Sequence, residues 1–243
     1  YKRQNLDRGF VRVSAHGNYG VDAPRFYTLT GPNRIVLDFP KRWEKQTVTD
    51  LRAGLRRTWF SFGTPDGPVI AHALYARTGP QSALRAHVAC AGLESRARLP
   101  LSAIAQRTGA LAAVNGGYFA PDTGDPIGLL IANGEWIRLP YARRAALLIS
   151  QSGQLAMENV GCRAEAVVGG RRLTLAGLNE WLPAEGECVK VVTRRWGGSY
   201  GCAAGQICLQ VRRGVVSMLV RPEGTQRVEV AVPEDGFLIV GRG

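Results

Sequence analysis

The stretch LSAIAQRTGALAAVNGGYFAPDTGDPIGLLIANGEWI, Leu101 to Ile137, carries the most information in the chain. Its start fits a short helix over Ser102 to Thr108. Ser102 can cap the first turn, Ala103, Ile104 and Ala105 are compatible with helix, and Gly109 can end it. Ala110 to Val114 then reads as a buried strand, broken sharply at Asn115-Gly116-Gly117. Two glycines there free the backbone for positive φ and let a ligand approach the main chain closely. Their amides can form an anion-binding concavity. Asn115 offers an acceptor and two donors, suited to sugar hydroxyls or phosphate oxygens. Tyr118 and Phe119 offer apolar faces. Asp122 and Asp125 bracket a turn at Thr123-Gly124 before Pro126-Ile127-Gly128 restarts a strand. Taken singly, Asn-Gly-Gly and Asp-Thr-Gly-Asp are ordinary loop chemistry. Only their order and spacing together carry a functional message.

Outward from this stretch the chain is rich in short β-favouring runs separated by turn residues. Gly128 to Ala132 is closed by Asn133-Gly134, a strong hairpin signal. Ala145 to Ile149 and Gln154 to Met157 flank Ser152-Gly153. Ala164 to Val168 and Arg171 to Leu175 flank Gly169-Gly170, and Ile207 to Val211 and Val215 to Val220 flank Arg213-Gly214. Arg227 to Val232 and Phe237 to Val240 flank a Pro-Glu-Asp-Gly turn. A second short helix is expected from Ala176 to Trp181, stopped by Pro183. The expected fold is α+β: strand-rich, with a mainly antiparallel or mixed sheet and few short helices. A boundary is expected near residues 56 to 64. It separates a small β-rich module or extension at 1–60 from a larger domain at 61–243.

The 243 residues suit one large domain or one domain with a small module. No stretch approaches the roughly 20 apolar residues of a membrane span, so a soluble chain without a transmembrane segment is expected. The sequence opens on Tyr1 with no charged-then-apolar leader, as in an exported protein after processing or a segment from within a longer protein. The net charge is +12 and the pI about 10.1, almost entirely from arginine, since the lysines are only Lys2, Lys41, Lys45 and Lys190. Arginine grips phosphate and carboxylate with paired hydrogen bonds, which fits an anionic partner. The arginines are spread along the chain, and no nucleic-acid motif is present, so nucleic acid is not the expected partner. His16, His72 and His87 have no metal spacing, and no zinc pattern, phosphate-binding loop or dinucleotide fingerprint occurs. No metal and no cofactor is expected. Of five cysteines, Cys202 and Cys208 flank a glycine- and alanine-rich loop and could close it. Cys162 with Cys188 is a second candidate bridge, leaving Cys90, and all five being reduced is the alternative.

The helix ending in Thr-Gly-Ala, the apolar run, Asn115-Gly116-Gly117-Tyr118-Phe119, Pro126-Ile127-Gly128-Leu129 and Asn133-Gly134 together resemble the phosphodiester glycosidase family. That family includes N-acetylglucosamine-1-phosphodiester α-N-acetylglucosaminidases and bacterial secreted proteins linked to exopolysaccharide. The resemblance runs from about Pro68 to Gly243 and is concentrated between Asn115 and Gly134. The ending Val232-Pro233-Glu234-Asp235-Gly236-Phe237 to Val240 is similar to a family strand that follows a Pro-x-x-Gly turn. A later Asp-Gly-Gly-Gly-Ser-type loop of the family has no counterpart among these residues, so a chain truncated at its C-terminal side is expected. Near the start, Leu29 to Phe39 loosely resembles a strand of AMIN-type envelope modules.

The resemblance implies hydrolysis of a sugar-1-phosphodiester on an exported glycan, in the cell envelope, periplasm or outside the cell. The expected partners are a phosphorylated or acidic glycan and a cell-wall polymer. A glycosidic centre calls for carboxylates to stabilise an oxocarbenium-like state and to activate water. Asp122 and Asp125 are the local catalytic candidates. Asn115, Gly116, Gly117, Tyr118 and Phe119 are candidates to bind substrate, and Arg143 and Arg144 to neutralise its phosphate. Trp196-Gly197-Gly198-Ser199-Tyr200 is a candidate sugar-stacking loop. The alternative function is non-catalytic binding of anionic envelope glycan.

Overall fold

A computed structural model describes residues 3–7, 10–14, 23–39, 43–64, 66–141, 144–181 and 188–242. Two compact units divide between Arg85 and Ala86. Among the described residues the first holds seven strands: β1 (Arg3–Asp7), β2 (Phe10–Ser14), β3 (Arg25–Leu29), β4 (Arg34–Asp38), β5 (Glu44–Arg52), β6 (Leu55–Thr64) and β7 (Gly67–Ala76). β1 pairs with β2 and β3 with β4, while β5, β6 and β7 form an antiparallel meander. The boundary expected near residues 56–64 therefore falls inside β6. That segment pairs with β7 from Leu55↔Ala76 to Thr64↔Gly67 and with β5 from Arg52↔Leu55 to Glu44↔Phe62, so no linker lies there.

The second unit holds the single helix of the described residues, α1 (Leu101–Thr108), and strands β8 (Leu130–Ala132), β9 (Glu135–Arg138), β10 (Ala145–Ile149), β11 (Leu155–Asn159), β12 (Glu165–Val168), β13 (Arg171–Leu178), β14 (Val189–Val192), β15 (Ser199–Cys202), β16 (Gln206–Arg212), β17 (Val215–Val220), β18 (Val228–Ala231) and β19 (Gly236–Arg242). β12-β13-β14-β19-β16-β17 form one six-stranded sheet, antiparallel except where β13 meets β14. β8-β9, β10-β11 and β15-β18 are separate antiparallel pairs. The strand-rich, mostly antiparallel expectation is met.

The tight turns follow from their residues. Asn133-Gly134, Gly169-Gly170 and Arg213-Gly214 each take two successive positive φ angles, 53° and 78°, 55° and 76°, 50° and 79°. That backbone matches the twist of the strands it joins. The ending behaves otherwise. β18 and β19 flank Pro233-Glu234-Asp235 but do not pair with each other. β18 pairs with β15, and β19 inserts between β14 and β16. Pro233 lacks an N–H to continue a ladder, and Asp235 instead accepts from Arg212 and Arg213 at 2.9 and 3.1 Å while its carbonyl takes the Arg213 amide.

Three local expectations are corrected. Ser102 makes no cap; the helix begins one residue after Pro100, and Gly109 closes it with φ 63°. Ala176 to Trp181 is not helical. Along β13 the half-buried or buried Leu173, Leu175 and Gly177 alternate with exposed Arg172, Thr174 and Ala176, the period of a strand. Ala110 to Val114 is neither a strand nor buried. Only the Ala110 amide is bonded, to the Ala105 carbonyl at the helix end, and Val114 is 82% exposed. Hydrophobicity alone does not bury a segment; a neighbouring element must cover it.

The apolar core sits where β14, β15, β16, β18 and β19 meet. Val192, Trp196, Tyr200, Val230, Leu238 and Val240 are buried there around Cys202 and Cys208. Each fully buried large side chain stabilises by about 1.5–3 kcal/mol relative to exposure. Cys202 and Cys208 form a disulfide across the turn that joins β15 to β16. Cys90, Cys162 and Cys188 are free thiols, so the second candidate bridge is absent. Cys90 is half-buried, and that burial pushes its thiol above the usual value, leaving less thiolate at neutral pH. Alkylation without reductant followed by mass spectrometry is expected to tag three cysteines, and Cys162, which is exposed, well before Cys90. Five tags would reject the disulfide, and equal rates at neutral pH would reject the burial of Cys90.

Candidate functional site

The residues singled out between Asn115 and Asp125 fall on one tight hairpin and its approach. Phe119 and Pro126 form an isolated antiparallel bridge, the Ile127 amide donates to the Tyr118 carbonyl at 2.9 Å, and the Ala120 amide to the Asp125 carbonyl at 2.8 Å. Gly124 turns the tip with φ 78°, where any side chain would collide with the Arg96 carbonyl. This glycine is required twice over, by its left-handed backbone and by the close approach. Tyr118, Phe119, Asp122 and Asp125 are thus brought together. Asn115, Gly116 and Gly117 lead into the hairpin on exposed chain outside any helix or strand.

The two aspartates differ sharply. Asp122 is exposed at the tip and makes no hydrogen bond. Asp125 is 9% exposed; its Oδ2 accepts from Thr123 Oγ1 at 2.6 Å, and its own amide donates back to Thr123 Oγ1 at 3.2 Å. Its Oδ1 is buried with no hydrogen-bond partner. A desolvated carboxylate oxygen of this kind is costly unless a positive group or a ligand compensates it. The Arg138 guanidinium supplies part of that field. Burial pulls Arg138 below the ordinary arginine value, while Glu180 and Asp125 act in the opposite direction.

Arg138 belongs to a buried polar network that the sequence reading missed. It donates to the Asn179 carbonyl and lies 3.9 Å from Glu180. Lys190 lies 3.5 Å from Glu180 and donates to the Trp181 carbonyl at 2.7 Å. Asn179, wholly buried with φ 54°, donates to the Ile137 carbonyl at 2.9 Å and accepts from Thr193 N and Oγ1 at 2.7 and 3.1 Å. The available signal was Asn179 directly after an alternating strand, since Asn tolerates the left-handed turn that ends one.

Gly116 and Gly117 depart from expectation. Neither takes a left-handed φ, and a Cβ on either would meet nothing within 4 Å. Neither the backbone conformation nor the described neighbours demand glycine at these positions. Arg144 is exposed and stacks over Tyr141, 5.4 Å from the ring centroid. Arg143 lies outside the described residues. The proposed stacking loop fails as a sugar platform: Trp196 is 1% exposed and packs edge-on to Trp181 at 4.6 Å, with the Arg96 guanidinium 4.0 Å over its ring. Its apolar area goes into the core. Apart from the hairpin, a cleft of about 400 Å³ opens among His87, Cys90, Thr108, Asn133 and Arg195. Its arginine is already engaged, with Nε donating to Glu135 at 2.7 Å. Among the described residues no group of three or more His, Cys, Asp or Glu is placed to hold a metal ion, and no helix is long and apolar enough to cross a membrane.

Fold and site together define a mostly antiparallel β protein with a small helical content and a carboxylate-bearing hairpin. No protein-family model matches the sequence, and no curated protein matches it. A solved structure does: the crystal structure of a hypothetical protein from Synechocystis, 21% identical, with a TM-score of 0.63. The match covers 100% of this chain and 45% of that one, so this chain spans less than half the length of the protein it matches. At such identity the likeness is one of fold.

Asn179→Ala is expected to lower unfolding free energy by about 2–4 kcal/mol, because it strands buried partners and places a Cβ residue without a stabilising amide at positive φ. Asn179→Gly, which accepts that φ, is expected to lose somewhat less. Urea titration measures both, and an unchanged midpoint in Asn179→Ala would show the network to be dispensable.

Proposed function

We propose that the chain carries part of a phosphodiester glycosidase that hydrolyses a sugar-1-phosphodiester on an exported glycan. The observation that carries this reading is the glycine pair beside Asn115. Gly116 and Gly117 sit in open space with ordinary φ, so their lack of side chains serves something that approaches from outside. An anionic diester fits, because two consecutive bare amides and the Asn115 carboxamide are donors to phosphate and sugar oxygens. Asp125, buried with one oxygen unpaired in the same hairpin, supplies the carboxylate that glycosidic cleavage uses. Asp122 is the exposed second carboxylate at the tip.

In this reading the diester leaves readily, so less protonation is asked of the protein than in ordinary glycoside hydrolysis. The work lies in holding the phosphate and stabilising positive charge at the anomeric carbon. In this reading the amides and Asn115 hold the phosphate, and Asp125 supplies the negative charge that the anomeric centre needs. Arg144 is free of any carboxylate among the described ion pairs and is available to the phosphate end. The surplus of arginine favours acidic or phosphorylated polymers at the cell envelope.

The gene product containing this chain should release reducing sugar from a sugar-1-phosphodiester. Asn115→Ala and Asp125→Asn are each expected to lower kcat/KM by about 100-fold or more, with the circular dichroism spectrum unchanged. Full activity in both variants would remove these residues from the mechanism. Salt-sensitive retention on acidic glycan with no turnover of any diester would transfer the chain to the non-catalytic binding class.

A further inference from the structure

The register of the β5–β6–β7 meander sorts its side chains by charge. Residues directly opposite one another across an antiparallel pair share a face, and successive residues along a strand alternate between faces. On one face Asp50 stands opposite Arg56 and pairs with it at 2.7 Å, and Glu44 stands opposite Phe62. The other face is built around a row that crosses all three strands: Thr47 opposite Trp59, and Trp59 opposite His72. Arg57 lies in the next row on one side, opposite Thr49, and Lys45 in the next row on the other, opposite Ser61. Rows are about 6.8 Å apart and strands about 4.8 Å, so the two cations flank the indole. Among the described residues of these strands this face carries no carboxylate. Lys45, Thr47, Arg57 and His72 are exposed and Trp59 is half-buried. None of Lys45, Arg57 and His72 has a side-chain ion pair or hydrogen bond among the described residues. The surrounding charge has the same sign. The first 85 residues hold 14 Lys and Arg against 6 Asp and Glu, a net +8 out of +12 for the whole chain.

We propose that this face of the meander docks an acidic polysaccharide. Cations with no carboxylate on their own face select a polyanion by charge complementarity. The row between them selects a sugar polymer. Trp59 offers an apolar platform to a ring, while the Thr47 hydroxyl and the His72 imidazole on either side of it bond ring hydroxyls. Arg57 and Lys45 then meet acidic substituents beyond the ring, the guanidinium by paired hydrogen bonds. Single-stranded nucleic acid fits this face less well, because it is held on a succession of stacked aromatic side chains and a single indole stands here. The inference concerns the first unit alone. It goes beyond the proposed hydrolysis and stands whether or not any diester is cleaved.

Binding of the whole chain to immobilised polygalacturonate and dextran sulfate at physiological salt tests it. Lys45→Gln together with Arg57→Gln is expected to weaken binding by about fivefold or more, with the circular dichroism spectrum unchanged. Arg171→Gln together with Arg221→Gln removes the same net charge from exposed positions of the second unit and is expected to cost less than about twofold. His72→Ala, on an exposed position, is expected to cost about threefold. Equal losses in the two double variants would show that the charge of the whole chain binds, and would overturn the assignment of this face. Failure of the unaltered chain to bind either polymer overturns the proposal, as does tighter binding of poly(dT) than of both polysaccharides at the same salt. No readout uses turnover, so a chain that binds through this face yet hydrolyses no diester separates this inference from the proposed function.

Discussion

One buried carboxamide organises the second unit. Asn179 reaches the Ile137 carbonyl with its amide and the Thr193 N–H and hydroxyl with its oxygen, while its own main chain bonds Val191 and Arg138. It therefore ties the end of β13 to β9 on one side and to β14 on the other. Without it the β8–β9 pair would share little with the six-stranded sheet, and Arg138 would lose the carbonyl that holds it. Buried polar groups in such a network specify one arrangement, since any other leaves donors unpaired in low dielectric. The two cations gathered around Glu180 are tolerated for the same reason: each has a carboxylate and a main-chain carbonyl within reach.

Apolar cover is unevenly distributed. Trp196, Tyr200, Leu238 and Val240 are sealed where five strands converge, and the disulfide closes the adjoining turn. The segment with the most chemistry lies away from that core, on exposed chain between α1 and the Tyr118–Ile127 hairpin. α1 itself has no fully buried residue. Its attachment rests instead on Arg107, whose guanidinium takes the carbonyls of Ala91 and Cys90 at 2.5 and 2.6 Å. At the hairpin, the Arg96 carbonyl lies so close to Gly124 that a Cβ there would collide with it, and the charges of Arg138 and Asp125 act on one another.

The sequence by itself determined the turns and most of the strands. Asn133-Gly134, Gly169-Gly170 and Arg213-Gly214 forced hairpins because their residues tolerate positive φ, a local property that needs no partner. It also determined that Cys202 and Cys208 could meet, and that Asp122 and Asp125 would bracket a turn. Tertiary structure alone decided which strands pair across distance. β19 joins β14 and β16 instead of its neighbour β18, and β13 takes in Ala176 to Leu178, the first half of the segment read as a second helix. It alone decided burial as well: Trp196 inside, Val114 outside, Asp125 enclosed and Asp122 free. Pairing and burial are properties of what a segment lies against, and a linear pattern records the residue but not its neighbour.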